Sequence, residues 1–98
     1  MIVRITRAAA ADLEAIGDFI ARQNPARAVS FIGELRGACL DLADHPEAFP
    51  VASRYAHLHV RRRVHGSYLI FYRVDDGTVT ILHVLHASRD DDDRLFTA

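Results

Sequence analysis

Residues 60–90 read VRRRVHGSYLIFYRVDDGTVTILHVLHASRD, and the fold turns on how this stretch divides. Two runs rich in β-branched and aromatic residues, Ser67–Val74 and Thr78–His86, flank Asp75-Asp76-Gly77. Because Gly and Asp tolerate positive φ, that separator predicts a tight β-hairpin. His65-Gly66 gives the same signal one strand earlier, so three consecutive strands form an antiparallel meander. In the first of them Leu58, Val60 and Val64 alternate with His59, Arg61 and Arg63, which predicts one core face and one basic face. Arg62 breaks the alternation and is expected at the rim of the core. In the other two strands both alternating sets are largely apolar, as in inner strands covered on each side by helices, a partner or the C-terminal tail.

Upstream the period changes. Ile2, Val3 and Ile5 predict a short opening strand, after which Thr6 can cap a helix running through TRAAAADLEAIGDFIARQ. Leu13, Ile16, Phe19 and Ile20 fall on one face of it. Asn24-Pro25 ends that helix and starts another, since Asn caps well and Pro fits the first helical position. The second stripe, Ala28, Phe31, Ile32, Leu35, Ala38, Cys39 and Leu42, should stop near His45-Pro46. Two amphipathic helices so briefly connected run antiparallel and need an apolar sheet beneath them. HPEAFPVASRYAH, with two prolines and no periodicity, links helices to meander. The expected fold class is α+β: a strand, an antiparallel helix hairpin, then a three-stranded antiparallel meander, with the helices packed on the sheet. Residues 1–98 form a single domain, with an acidic tail from about residue 90.

A chain of 98 residues, 50% of them apolar, supports one core and no second domain. All twelve basic side chains are Arg, against thirteen Asp and Glu, for a formal net charge of −1. That balance provides no global basic field for nonspecific nucleic-acid binding, so any basic surface is local. Arg forks suit phosphate and carboxylate, although a GC-rich genome produces the same bias. The lone Cys39 cannot form an internal disulfide and falls on the apolar helix stripe, an inert buried thiol rather than a nucleophile. No secretory pattern opens the chain and its apolar runs are too short for a membrane span, so a soluble, cytoplasmic protein without a cofactor is expected.

Three stretches in this order, AAAADLEAIGDFIARQNPARAVSFIGELR, HPEAFP and VRRRVHGSYLIFYRVDDGTVTILHVLHASRD, make the chain resemble the RelE/ParE toxin superfamily, specifically its ParE-like branch. The resemblance covers nearly the whole chain. It implies the toxin of a type II toxin–antitoxin system, with plasmid stabilization as the associated role. Its partner would be a cognate ParD-like antitoxin whose C-terminal segment wraps it. ParE-like members poison DNA gyrase, whereas RelE-like members cut mRNA in the ribosome.

The residues discriminate between these two activities. Cleavage by 2′-OH attack needs a base, cations for the pentavalent phosphate and an acid for the leaving oxygen. Arg61 matches the arginine that the superfamily places on the strand before its SY step, Arg89 the one after the last strand, and Arg63 should share a face with Arg61. RelE-like enzymes commonly end with a Tyr or His-Tyr pair near this point, but here the chain reads RDDDDRLFTA, and Phe96 has no hydroxyl. Those enzymes also tend to carry a basic residue after the Tyr of the meander's second strand, where Tyr68 is followed by Leu69. A nuclease would use Arg61, Arg63, Arg89 and His86. A docking surface for the antitoxin or gyrase would instead comprise Arg61, Arg63, Tyr68, Arg73, His83, His86 and Arg89, with no catalytic residue. Each group also has a purely structural alternative. The Arg61–Arg63 run can protect an edge strand, Tyr68, Phe71 and Tyr72 can pack across strands, and Asp90–Asp93 can form a solvated tail. His57 and His59 share a face if they lie on a strand, yet zinc needs three or four ligands and no metal site is expected. Gyrase inhibition is the favoured expectation. An mRNA endonuclease is the alternative, and a homologue that only binds antitoxin is the third.

Overall fold

The computed structural model describes residues 1–89, so Asp90–Asp93 and Phe96 lie outside the described residues. In chain order the elements are β1 (Ile2–Ile5), α1 (Arg7–Ala21), α2 (Pro25–Asp41), a 3-10 segment (Ser53–Leu58), β2 (Arg61–His65), β3 (Tyr68–Asp75), β4 (Thr78–His86) and a closing 3-10 turn (Ala87–Arg89). Both helix starts follow from their caps. Thr6 Oγ1 accepts from the Ala9 N–H at 3.1 Å and donates to the Ile81 carbonyl at 2.7 Å, so one hydroxyl caps α1 and fastens it to β4. Asn24 Oδ1 accepts from the Arg27 N–H at 3.0 Å, with Pro25 in the first turn of α2. This helix stops at Asp41, ahead of the expected His45-Pro46 boundary. Bonds from Leu42, Ala43 and Asp44 to the carbonyls of Cys39, Leu40 and Asp41 tighten its end into i→i+3 turns.

The sheet order is β1-β4-β3-β2. The meander is antiparallel, and β1 joins β4 in parallel, with Ile2 opposite Thr78 and Ile5 opposite Ile81. Both tight turns use positive φ, at Gly66 (59°) and at Asp76 and Gly77 (48° and 74°). Between β3 and β4 the register shifts from Phe71 opposite His83 to Tyr72 opposite Ile81, which leaves Leu82 as the extra residue of a bulge.

On one face of the sheet, Leu13 and Ile16 of α1 and Leu35, Ala38 and Cys39 of α2 close over Ile70, Tyr72, Val79, Ile81 and Val84. On the other, Ala52, Tyr55 and Val60 cover Leu69, Phe71 and Leu85, with the Tyr55 ring edge-on to Phe71 at 5.8 Å. Among the described residues, the 52–60 segment thus covers the second apolar face of β3 and β4.

Three local expectations are corrected. Phe19 is 64% exposed instead of joining Leu13 and Ile16 in the core. The strand begins at Arg61, since Leu58 ends the 3-10 segment and His59 takes a left-handed φ of 58°; His57 and His59 therefore do not share a strand face. Finally, the expected core face of strand β2 is kept at Val60, which is 1% exposed, but not at Val64, and the basic face is partly covered. Arg61, Arg63 and His65 pair with Tyr72, Ile70 and Tyr68, and so lie half-buried on the helix side, while Val64 is 61% exposed on the other. As an edge strand, β2 is overhung by the C-terminal end of α2, where the Ala38 carbonyl accepts from Arg63; among the described residues no equivalent cover reaches Val64. None of the described helices is long and apolar enough to cross a membrane.

Candidate functional site

The side chains singled out by the sequence fall into three places. The first is the α2 end of β2. Arg61 Nη1 donates to the Phe49 carbonyl at 2.7 Å and more weakly to that of Glu47 at 3.4 Å. Arg63 Nη1 donates to the Ala38 carbonyl at 2.9 Å and to Asp41 Oδ2 at 3.1 Å, with its guanidinium 4.7 Å from the Phe49 ring centroid. Between them the two arginines satisfy backbone acceptors in the last turn of α2 and in the loop that follows, and they fasten that loop to the sheet.

The second place is the opposite end of β2 and β3, where Tyr68 stands between His65 and His86 in register. Its ring lies edge-on to His86 at 5.3 Å and tilted against Phe31 at 5.4 Å. His86 Nδ1 accepts the Ser88 N–H at 3.1 Å, with the Ser88 hydroxyl at 2.9 Å. Because that nitrogen accepts the Ser88 N–H, a neutral ring carries its proton on Nε2. Arg89, one residue beyond Ser88, lines a cavity of about 370 Å³ together with Tyr68 and His86. Nearby, His83 Nδ1 lies 2.9 Å from Asp12 Oδ2, and the same oxygen accepts the Val84 N–H at 3.0 Å. Asp12 of α1 thereby closes the edge of β4 beyond the point where β1 ends.

The third place is the β3–β4 hairpin. There Arg73 pairs with Asp75 at 3.0 Å on an exposed surface. Such a pair contributes little to stability.

Tyr68, His86 and Arg89 are brought together; Arg61 is not among them. Its partner Tyr72 is four residues along β3 from Tyr68, which places it roughly 13 Å down the strand axis. Sequence reasoning missed three participants: Asp12, the exposed Phe19, and Glu34. The last is held below the ordinary carboxylate range first by its hydrogen bond with Arg27, at 2.6 Å, and it also lies 3.8 Å from His65. A carboxylate one turn before Ile16 on an apolar helix face was the available signal for Asp12.

Residues 3–91 match the model of a family described as the ParE toxin of the type II toxin–antitoxin system parDE. The chain belongs to this ParE toxin family. Among solved structures, the toxin is similar to a chain of the chromosomal ParDE toxin–antitoxin system from P. aeruginosa. The TM-score is 0.77 at 23% identity, over 88% of this chain and 95% of that one, a likeness of fold. It is also similar to a chain of the toxin–antitoxin complex RelBE2 from Mycobacterium tuberculosis, with a TM-score of 0.64 at 28% identity over 87% and 95% of the two chains. No curated protein matches it. Both structural relatives agree with the α+β, RelE/ParE-like fold expected for this ParE-family toxin.

Proposed function

We propose that this toxin acts by protein–protein contact, inhibiting DNA gyrase, and that a ParD-like antitoxin neutralises it. The observation that supports contact over chemistry is the dispersal of the cations. Stabilising a pentavalent phosphate requires donors converging within hydrogen-bond reach of one point. Here Arg61 and Arg63 direct theirs at Phe49, Ala38 and Asp41, away from Tyr68, His86 and Arg89. The sequence after Arg89 also supplies no Tyr as an acid.

One observation favours the second reading, a ribosome-dependent mRNA endonuclease. His86 and Arg89 line the same cavity, an imidazole and a cation side by side. Induction in a bacterium separates the two. Gyrase poisoning should produce filaments and a DNA-damage response, and the purified toxin should inhibit supercoiling. Codon-phased mRNA cuts that vanish in Arg89→Ala, with gyrase unaffected, would replace the proposal with the endonuclease.

A further inference from the structure

The face of the sheet turned away from the helices is covered at one end only. Val3, Ile5, Tyr72, Val79 and Ile81 pack toward the helices. Their alternating neighbours point the other way, in two rows fixed by the register: Ile2, Thr78 and Asp75, then Arg4, Thr80 and Arg73. The 52–60 segment lies over Leu69, Phe71 and Leu85 at the far end of β3 and β4. Here Ile2 is 70% exposed, and Arg4 and Arg73 are both exposed.

The second row is a set of hydrogen-bond donors. Arg4 and Arg73 flank Thr80, their Cα atoms roughly 10 Å apart across two strand spacings. Arg73 Nε donates to Asp75 Oδ2 at 3.0 Å, a bond that orients the guanidinium and engages neither of its terminal nitrogens. Among the described residues, neither the Arg4 guanidinium nor the Thr80 hydroxyl has a hydrogen-bond partner. Two forks and a hydroxyl on three adjacent strands suit a phosphate better than a carboxylate. A carboxylate holds two oxygens in one plane, and a single guanidinium fork satisfies both. A phosphate spreads its oxygens over a tetrahedron, so forks from opposite sides and a hydroxyl beneath each meet a different one. Asp75 and Asp76 stand beside the row at the hairpin, and with a net charge of −1 they oppose a long track of phosphates, so the contact is with one or two. The row is roughly 20 Å along β4 from His86, apart from the Tyr68, His86 and Arg89 cluster.

We infer that the Arg4–Thr80–Arg73 row binds a backbone phosphate of DNA. The inference takes its setting from the gyrase reading above, whose target handles DNA, and adds a direct contact between the toxin and the nucleic acid.

The test is fluorescence anisotropy of a short labelled DNA duplex titrated with the full-length toxin at several salt concentrations, without gyrase. The logarithm of the binding constant should fall with the logarithm of salt at a slope of about −1 to −2, the value for one or two phosphates. Arg4→Ala and Arg73→Ala should each weaken binding several-fold at low salt and flatten the slope. Arg4→Lys should keep the slope, and Thr80→Val should weaken binding without changing it. Arg22→Ala, which removes the same charge from the end of α1, should bind as the wild type does. Arg4 and Arg73 are exposed, so melting temperatures near that of the wild type are expected for their variants. Wild-type affinity and slope in both alanine variants, or no binding of DNA by the wild type, overturns the inference. Inhibition of supercoiling by the wild type would then show that the gyrase reading stands without it. Preference for poly-glutamate over DNA at the same salt overturns it in favour of an acidic protein segment.

Discussion

Arg63 carries more structure than its place on a charged edge strand implies. Its guanidinium joins the last turn of α2, the Asp41 carboxylate and the Phe49 ring, at 2.9, 3.1 and 4.7 Å. Arg63→Ala leaves the Ala38 carbonyl without that donor and removes a cation–π contact, and should cost roughly 1–3 kcal/mol in urea unfolding. Arg73→Ala, breaking only an exposed pair, should change stability by less than about 1 kcal/mol. Cys39 makes a different prediction. It is fully buried, and burial pushes its thiol from 9.0 up to about 11. A thiol whose folded value exceeds its unfolded one favours the neutral form. Its contribution to stability is complete below pH 9.0 and declines as pH rises from there through about 11. At roughly 1.4 kcal/mol per unit, the loss across that window is on the order of 2–3 kcal/mol. Burial raises Tyr72 in the same direction, so the wild type should lose stability steeply at alkaline pH and Cys39→Ala less steeply, as measured by urea unfolding at pH 8 and pH 10.5. Parallel losses in the two proteins would show that the thiol is not the group responsible.

Among the elements, α2 had the most legible sequence. The stripe from Ala28 to Leu42 was assigned to the core, and Leu35, Cys39 and Leu42 are fully buried, with Phe31 and Ile32 packed at its margin. Leu35→Ala should therefore destabilise by roughly 2–5 kcal/mol. Glu34, on the exposed side and paired with Arg27 and His65, should tolerate Ala with its unfolding midpoint nearly unchanged. Similar unfolding midpoints for the two variants would mean that the helix is rotated from the orientation described. The stripe of α1 was less informative because Phe19 continues the period yet is left 64% exposed, and periodicity records the direction of a side chain without the extent of what it meets. The faces of β2 were ambiguous for a related reason. Alternation shows that two faces differ, yet an edge strand has a neighbour on one side only, and the end of α2 decided which face was covered.

For the whole toxin, the two mechanisms predict different sensitivities at the same residue. If Arg89 contributes one contact to an interface with gyrase, Arg89→Ala should reduce inhibition of supercoiling by less than about tenfold, since most interface contacts cost little. If it stabilises a transition state, the loss in cleavage rate should be on the order of a hundredfold or more. Dose–response curves for the wild type and Arg89→Ala, in both assays, distinguish these magnitudes. The family, the order of the elements, both helix caps and both tight turns were present in the sequence by itself, because each depends on residues within a few positions of one another. The tertiary structure alone decided that β1 lies parallel to β4, that the 52–60 segment covers the second face, that Asp12 meets His83, and that Tyr68, His86 and Arg89 share a cavity while Arg61 lies apart. Those relations join residues distant in sequence. They depend on which surfaces remain uncovered once the local elements pack, information that no short-range pattern contains.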